Sequence, residues 1–173
     1  MISLNSIMRN LDLHSQGNWL PIVVSLLLFL YALFMPKKEL SWRDLYITFG
    51  IIGYFAWISD SVFGKMLDLV DFGNPKITGI GEFLSYSLIP SSIAVIFLNY
   101  LRKTNKWILA IFFIIISTLI EWGMRKVGYM KVHGWSFFIS IPLYFVVFSF
   151  LLPIHRKIIK WRDQGDSFGH QKP

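Results

Sequence analysis

The sequence predicts an all-α fold, an integral membrane bundle of five transmembrane helices with the N-terminus outside, the C-terminus inside and a basic amphipathic C-terminal segment. Three observations predict it. Of 173 residues, 54% are hydrophobic and only 16% are charged, too few charges to cover a soluble domain of this size. The apolar residues fall in five blocks, each near the ~20 residues that cross a hydrocarbon core about 30 Å thick. Trp19, Trp42, Trp107, Trp122, Trp135 and Trp161 stand at or near block ends, where an indole keeps its ring in the headgroup region and its N–H wet.

The first span is placed at about 19–35 and is closed by Pro36, Lys37 and Lys38. Its apolar run is longer than a signal-peptide core and no small-x-small cleavage site accompanies it, so it is read as retained. The second, about 45–63, follows Ser41-Trp42-Arg43-Asp44. The third, about 81–101, holds Pro90 near its middle, where a missing backbone donor should kink the helix. The fourth and fifth are placed at about 107–127 and 135–152.

Orientation follows from lysine and arginine in the short loops. Lys37, Lys38, Arg43, Arg102, Lys103, Lys106, Arg156, Lys157, Lys160, Arg162 and Lys172 fall on one side. Arg9, Lys65, Lys76, Arg125, Lys126 and Lys131 fall on the other. The richer side is expected to be cytoplasmic. The loop of about 64–80, with Asp68, Asp71 and Gly73-Asn74-Pro75, reads as a short amphipathic or turn-rich outer segment. After the fifth span, Ile154, Ile158 and Trp161 recur at helical spacing beside Arg156, Lys157, Lys160 and Arg162. That stretch is expected to lie on the anionic inner leaflet. Residues 1–162 thus form one bundle and 163–173 a flexible tail.

The net charge of +7 comes in short clusters between apolar blocks, a topogenic arrangement and not the continuous stripe of a nucleic-acid binder. Cysteine is absent, which removes disulfides, thiolate metal sites and a cysteine nucleophile. No serine-nucleophile motif, phosphate-binding glycine loop or metal-ligand spacing occurs. No catalytic residue, metal or cofactor is assigned.

Ionisable groups within spans carry the remaining information, because an ionised group at the bilayer centre costs several kcal/mol and normally faces protein or water. Asp60 ends the second span, Glu82 opens the third and Glu121 lies near the outer end of the fourth. Each belongs to a polar or small-residue stripe at helical spacing: Gly53-Trp57-Asp60-Gly64, Glu82-Ser85-Ser92-Asn99 and Ser117-Glu121-Arg125, with Ser136, Ser140 and Tyr144 on the fifth. Facing one another, these stripes would enclose a polar seam opening outward. Plain helix packing by small residues explains the serines. A helical ion pair explains Glu121 with Arg125, against which stands a ligand or ion site. His133 and Trp135 border the seam. A histidine with two carboxylates can bind a divalent cation, but a lone loop histidine is ordinarily solvated.

The pattern Ile120-Glu121-Trp122, Gly128-Tyr129, His133-Gly134-Trp135 and Ser140, with Pro90-Ser91, Phe97-Leu98-Asn99-Tyr100 and His155-Arg156-Lys157, resembles a family of small five-span membrane proteins from spore-forming Bacillota that has no assigned activity. The resemblance covers about 80–161 and, more loosely, the first two spans. It implies a bacterial multi-pass plasma-membrane protein, and it supplies no catalytic residue.

The function expected is therefore non-enzymatic: a protein that binds a membrane partner or senses a ligand at Asp60, Glu82, Glu121, Arg125, His133 and Trp135. Two rivals remain open. One is a cation or proton transporter or channel component lined by the three acids, which also needs polar groups on the inner half, where Ser25, Ser92, Asn99 and Ser149 stand. The other is an intramembrane enzyme using Glu121 and His133 as acid and base.

Overall fold

The computed structural model describes residues 10–168, with side chains from 10 to 160. Helix α1 covers Trp19–Phe34 and α2 Trp42–Ser59. A capping box opens α2: Asp44 N–H donates to Ser41 Oγ at 3.2 Å and Ser41 N–H to Asp44 Oδ2 at 3.0 Å, so two otherwise orphaned donors are satisfied. At its far end α2 widens into a π-helical turn, Asp60–Met66. Helix α3 runs over Ile80–Ser87, α4 over Ile89–Tyr100 and α5 over Lys106–Lys126. Then come α6 (Phe137–Val146), a second π-helical turn (Val147–Leu151) and α7 (Leu152–Phe168). The α7 backbone stays helical past 163, where a tail was expected, and 169–173 lie outside the described residues.

Proline accounts for two of the three irregularities in the long helices, the π-helical turn at Asp60–Met66 containing none. Pro90 cannot donate to the carbonyl of Tyr86 and crowds it, so the predicted kink is a break at Leu88 between α3 and α4. Pro153 does the same to the carbonyl of Ser149, and the π-helical turn just before it absorbs the mismatch.

Among the described residues, four helical stretches are long and apolar enough to cross a membrane: Trp42–Met66, Ile80–Tyr100, Lys106–Lys126 and Phe137–Lys160. The apolar helix Trp19–Phe34 is shorter, at 16 residues. α4 is the central post, with Val95, Phe97, Leu98 and Asn99 wholly buried. Phe97 meets Phe113 of α5 and Phe148 of the second π turn, with ring centroids 5.5 and 5.2 Å away. The outside is apolar too: Phe34, Tyr46, Ile108 and Phe138 are 75–91% exposed. Apolar surface on that scale suits lipid and not water.

The bundle has two distinct ends. At one, residues 10–18 meet a short antiparallel ribbon, β1 (Val70–Phe72) paired with β2 (Met130–Val132) in the register Asp71 opposite Lys131. Three-residue strands are too short to leave a period-two pattern, so the sequence reading has only a turn-rich loop there. At the other end, residues 36–41, the α4–α5 connection and α7 come together.

Candidate functional site

The ribbon end is built around a missing side chain. A Cβ at Gly81 would stand 1.9 Å from Asn18 Oδ1 and 2.5 Å from Tyr129 Oη, so only glycine admits both polar groups against α3. Residues 10–18 are held there by Ile80 N–H donating to Leu11 O at 3.0 Å and by Asn74 N–H donating to Asp12 Oδ2 at 3.0 Å. Gly73 N–H donates to Tyr129 O at 2.9 Å. Tyr129 is 1% exposed. Burial, with the nearby charges of Glu82 and Asp12, pushes its phenol well above the ordinary tyrosine value.

Beneath this cap lie two of the three predicted acids. Asp60 is 5% exposed and Glu82 2%. Lys65 Nζ reaches Glu82 Oε1 at 3.0 Å, and the charges of Asp60 and Asp71 also act on Lys65. The π-helical turn makes this possible, because its wider winding carries Lys65 back over the bundle while Asp60 stays buried. The Tyr86 phenol lies beside Asp60. Glu82 Oε2 and Asn18 Oδ1 are both buried with no hydrogen-bond partner. Two buried acceptors without donors, one of them on Glu82 itself, with Asp60 as the second carboxylate and Lys65 as the cation paired to Glu82, leave this end short of positive charge and of donors aimed at those two atoms.

Glu121 belongs to a second cluster. Its carboxylate takes the Arg125 guanidinium, the Ser140 hydroxyl at 2.8 Å and the Tyr144 hydroxyl at 3.0 Å. Trp135 Nε1 donates to Ser140 Oγ at 2.7 Å, and the Arg125 guanidinium covers the Phe137 ring at 4.2 Å. The pair expected along the helix is therefore buried, at 5% exposure for Glu121 and 17% for Arg125, and is tied across to α6. Phe63, inside the first π turn, packs on Trp135 with centroids 5.2 Å apart, which links the two clusters. His133 lies apart, half-exposed, with Nε2 3.1 Å from Asp71 Oδ2. It does not meet Glu121. Among the described residues no three His, Cys, Asp or Glu side chains gather as a metal site.

The opposite end holds residues that sequence reasoning placed along a possible conduction path or missed. Asn99 Oδ1 accepts the backbone N–H groups of Lys38, Glu39 and Leu40 at 2.9, 3.3 and 3.4 Å, and its Nδ2 donates to Pro36 O at 2.9 Å. It is a loop clamp. Lys37 Nζ donates to Ala32 O and Leu33 O, capping the end of α1, and burial lowers its pKa from the ordinary lysine value. Glu39, unnoticed in the sequence, receives Arg156 Nη2 at 2.6 Å, with Arg102 Nε at 3.6 Å and Lys160 Nζ at 3.9 Å. Arg156 also donates to Leu101 O. Of the residues expected to meet an anionic leaflet, Arg156 is thus committed inside the protein, Lys157 is exposed, and the Arg162 side chain lies outside the described ones. No family model matches the chain, nor does any curated protein or solved structure.

Proposed function

We propose that the chain is a non-enzymatic, multi-pass protein of the cell membrane that binds a small cationic ligand carrying N–H donors at its outer, ribbon-capped end. The observation that carries the reading is Glu82: nearly wholly buried, with one carboxylate oxygen on Lys65 and the other on nothing. A protonated amine supplies both the charge and the donors that Glu82 Oε2 and Asn18 Oδ1 lack. A small amine and a basic side chain of a membrane partner share that chemistry.

Five crossings, with the N-terminus out and the C-terminus in, are supported by the placement of chain segments. Residues 10–18 sit with the 70–81 and 127–136 segments at one end, and the far end of α1 sits on Asn99 at the other. α1 with the residues flanking it therefore runs alongside α3 and α4 from Gly81 to Asn99, although the helix itself is only 16 residues long. The richer share of lysine and arginine lies at the Asn99 end. Membership of the five-span family that the Glu-Trp and His-Gly-Trp pattern resembles is part of the same proposal. A conduction path is the weaker reading, since two of the four inner-half groups are used within the protein, Asn99 by its loop and Ser25 by donating Oγ to Ile22 O at 2.9 Å, which leaves only Ser92 and Ser149 to line it.

Thermal unfolding in detergent, with sodium, magnesium, ethanolamine or putrescine added, tests the site. The amines should raise the Tm of the unmodified protein and leave Glu82→Gln unmoved. No shift with any amine, or an equal shift in Glu82→Gln, would refute it.

A further inference from the structure

At the end opposite the acid cluster, α1 and α5 both pack on α4 but scarcely touch each other. The gap is a groove of about 540 Å³, within the range of ~300–1,000 Å³ that holds small organic ligands. Its floor is Ile93 and Ile96 of α4, and its walls include Leu28 of α1 with Leu109 and Ile116 of α5. These walls offer no polar group. At the mouth the chemistry changes to Lys38, Arg102 and Asn105, beside the paired hydroxyls of Tyr31 and Tyr100, 3.0 Å apart.

The groove runs along α5 from Asn105 to Ile116, about 16 Å at 1.5 Å per residue. That is half of a hydrocarbon core of about 30 Å, the depth of one leaflet. The mouth therefore falls at headgroup level and the apolar trough at acyl-chain level. Lys38 is exposed and rides over the Tyr100 ring at 4.9 Å. Arg102 is 61% exposed and shares the single carboxylate of Glu39 with Arg156 and Lys160, three cations on one acid. The rim thus carries surplus positive charge directly above the apolar trough.

We infer that this groove is a binding site for one anionic phospholipid, its phosphate held between Lys38 and Arg102 and an acyl chain lying between α1 and α5. Charge complementarity at the rim selects the headgroup, because a zwitterionic lipid brings its own cation to the same place. The inference rests on the membrane reading but needs nothing at the Asp60–Glu82 cluster. A failed amine test leaves it standing.

The test is native mass spectrometry of the full chain in a nonionic detergent, titrated with phosphatidylglycerol or with phosphatidylcholine of the same acyl chains. One phosphatidylglycerol should stay bound at collision energies that strip phosphatidylcholine. Lys38→Gln with Arg102→Gln should weaken phosphatidylglycerol binding about tenfold or more, bringing it to the phosphatidylcholine level. Leu28→Trp or Ile116→Trp, filling the groove from different helices so that one misfolded variant does not end the test, should cut the binding of both lipids. Equal retention of the two lipids by the unmodified chain would overturn the inference. So would undiminished binding in a folded groove-filling variant, or displacement of the lipid by inorganic phosphate alone.

Discussion

Ser140 on α6 donates its hydroxyl hydrogen to Glu121 Oε1 on α5 across 2.8 Å, while accepting the indole N–H of Trp135 at 2.7 Å. With Tyr144 and Arg125 on the same carboxylate, Glu121 is a satisfied buried anion joining two helices. Breaking such a pair leaves a charge without its partner, which costs far more than losing an exposed ion pair.

Glu121→Gln and Arg125→Gln should each destabilise the protein by about 3 kcal/mol or more, and the double variant by clearly less than their sum. Thermal unfolding of all three in one detergent measures this. Small, additive losses would mean that the pair is merely interfacial.

Tyr144→Phe removes one of the three donors and keeps the ring. A loss of about 1.5–3 kcal/mol is expected, the range for a hydrogen bond to a charged group. An unchanged midpoint in chemical denaturation would show that the hydroxyl does not serve Glu121.

Asn99→Leu keeps the volume of the side chain and deletes its acceptor and donors. Lys38 and Glu39 N–H and Pro36 O then lose their buried partner, at about 1–3 kcal/mol for each group left unsatisfied. Limited proteolysis should cut the 36–41 loop faster in this variant than in the parent. Equal cleavage rates would argue that the loop holds itself.

Gly81→Ala and Gly50→Ala make a paired test of packing. A methyl at Gly81 collides with Asn18 Oδ1, whereas nothing lies within 4 Å of one at Gly50. Gly81→Ala should lower stability by about 1–3 kcal/mol through overpacking. Gly50→Ala, on an exposed part of α2, should raise it by up to about 1 kcal/mol from helix propensity. Thermal melts of both variants read the two signs.

Much of the site was legible before any fold was known. Asp60, Glu82 and Glu121 stand out because an acid inside an apolar block is expensive unless something compensates it. The Glu121–Arg125 pair follows from a spacing of four on a helix. The ribbon was not legible, since its strands are three residues long. Glu39 was not either, because a single acid in a basic loop looks solvated until Arg102, Arg156 and Lys160 are folded around it.

The sequence by itself determined that the chain is mostly helical and where its long apolar helices lie, because block length, proline position and tryptophan placement act locally along one chain. It did not determine every end, since the last helix runs on to Phe168. It also determined which residues share a helical face. Only the tertiary structure decided who partners whom. It put Glu82 with Lys65 through a π-helical turn, Glu121 with Ser140 and Tyr144 on another helix, and Asn99 on a loop and not in a channel. Periodicity states the direction in which a side chain leaves its own helix. What waits there depends on helix neighbours and on relative axial shift, which are set by packing around α4 and leave no mark in the spacing of residues.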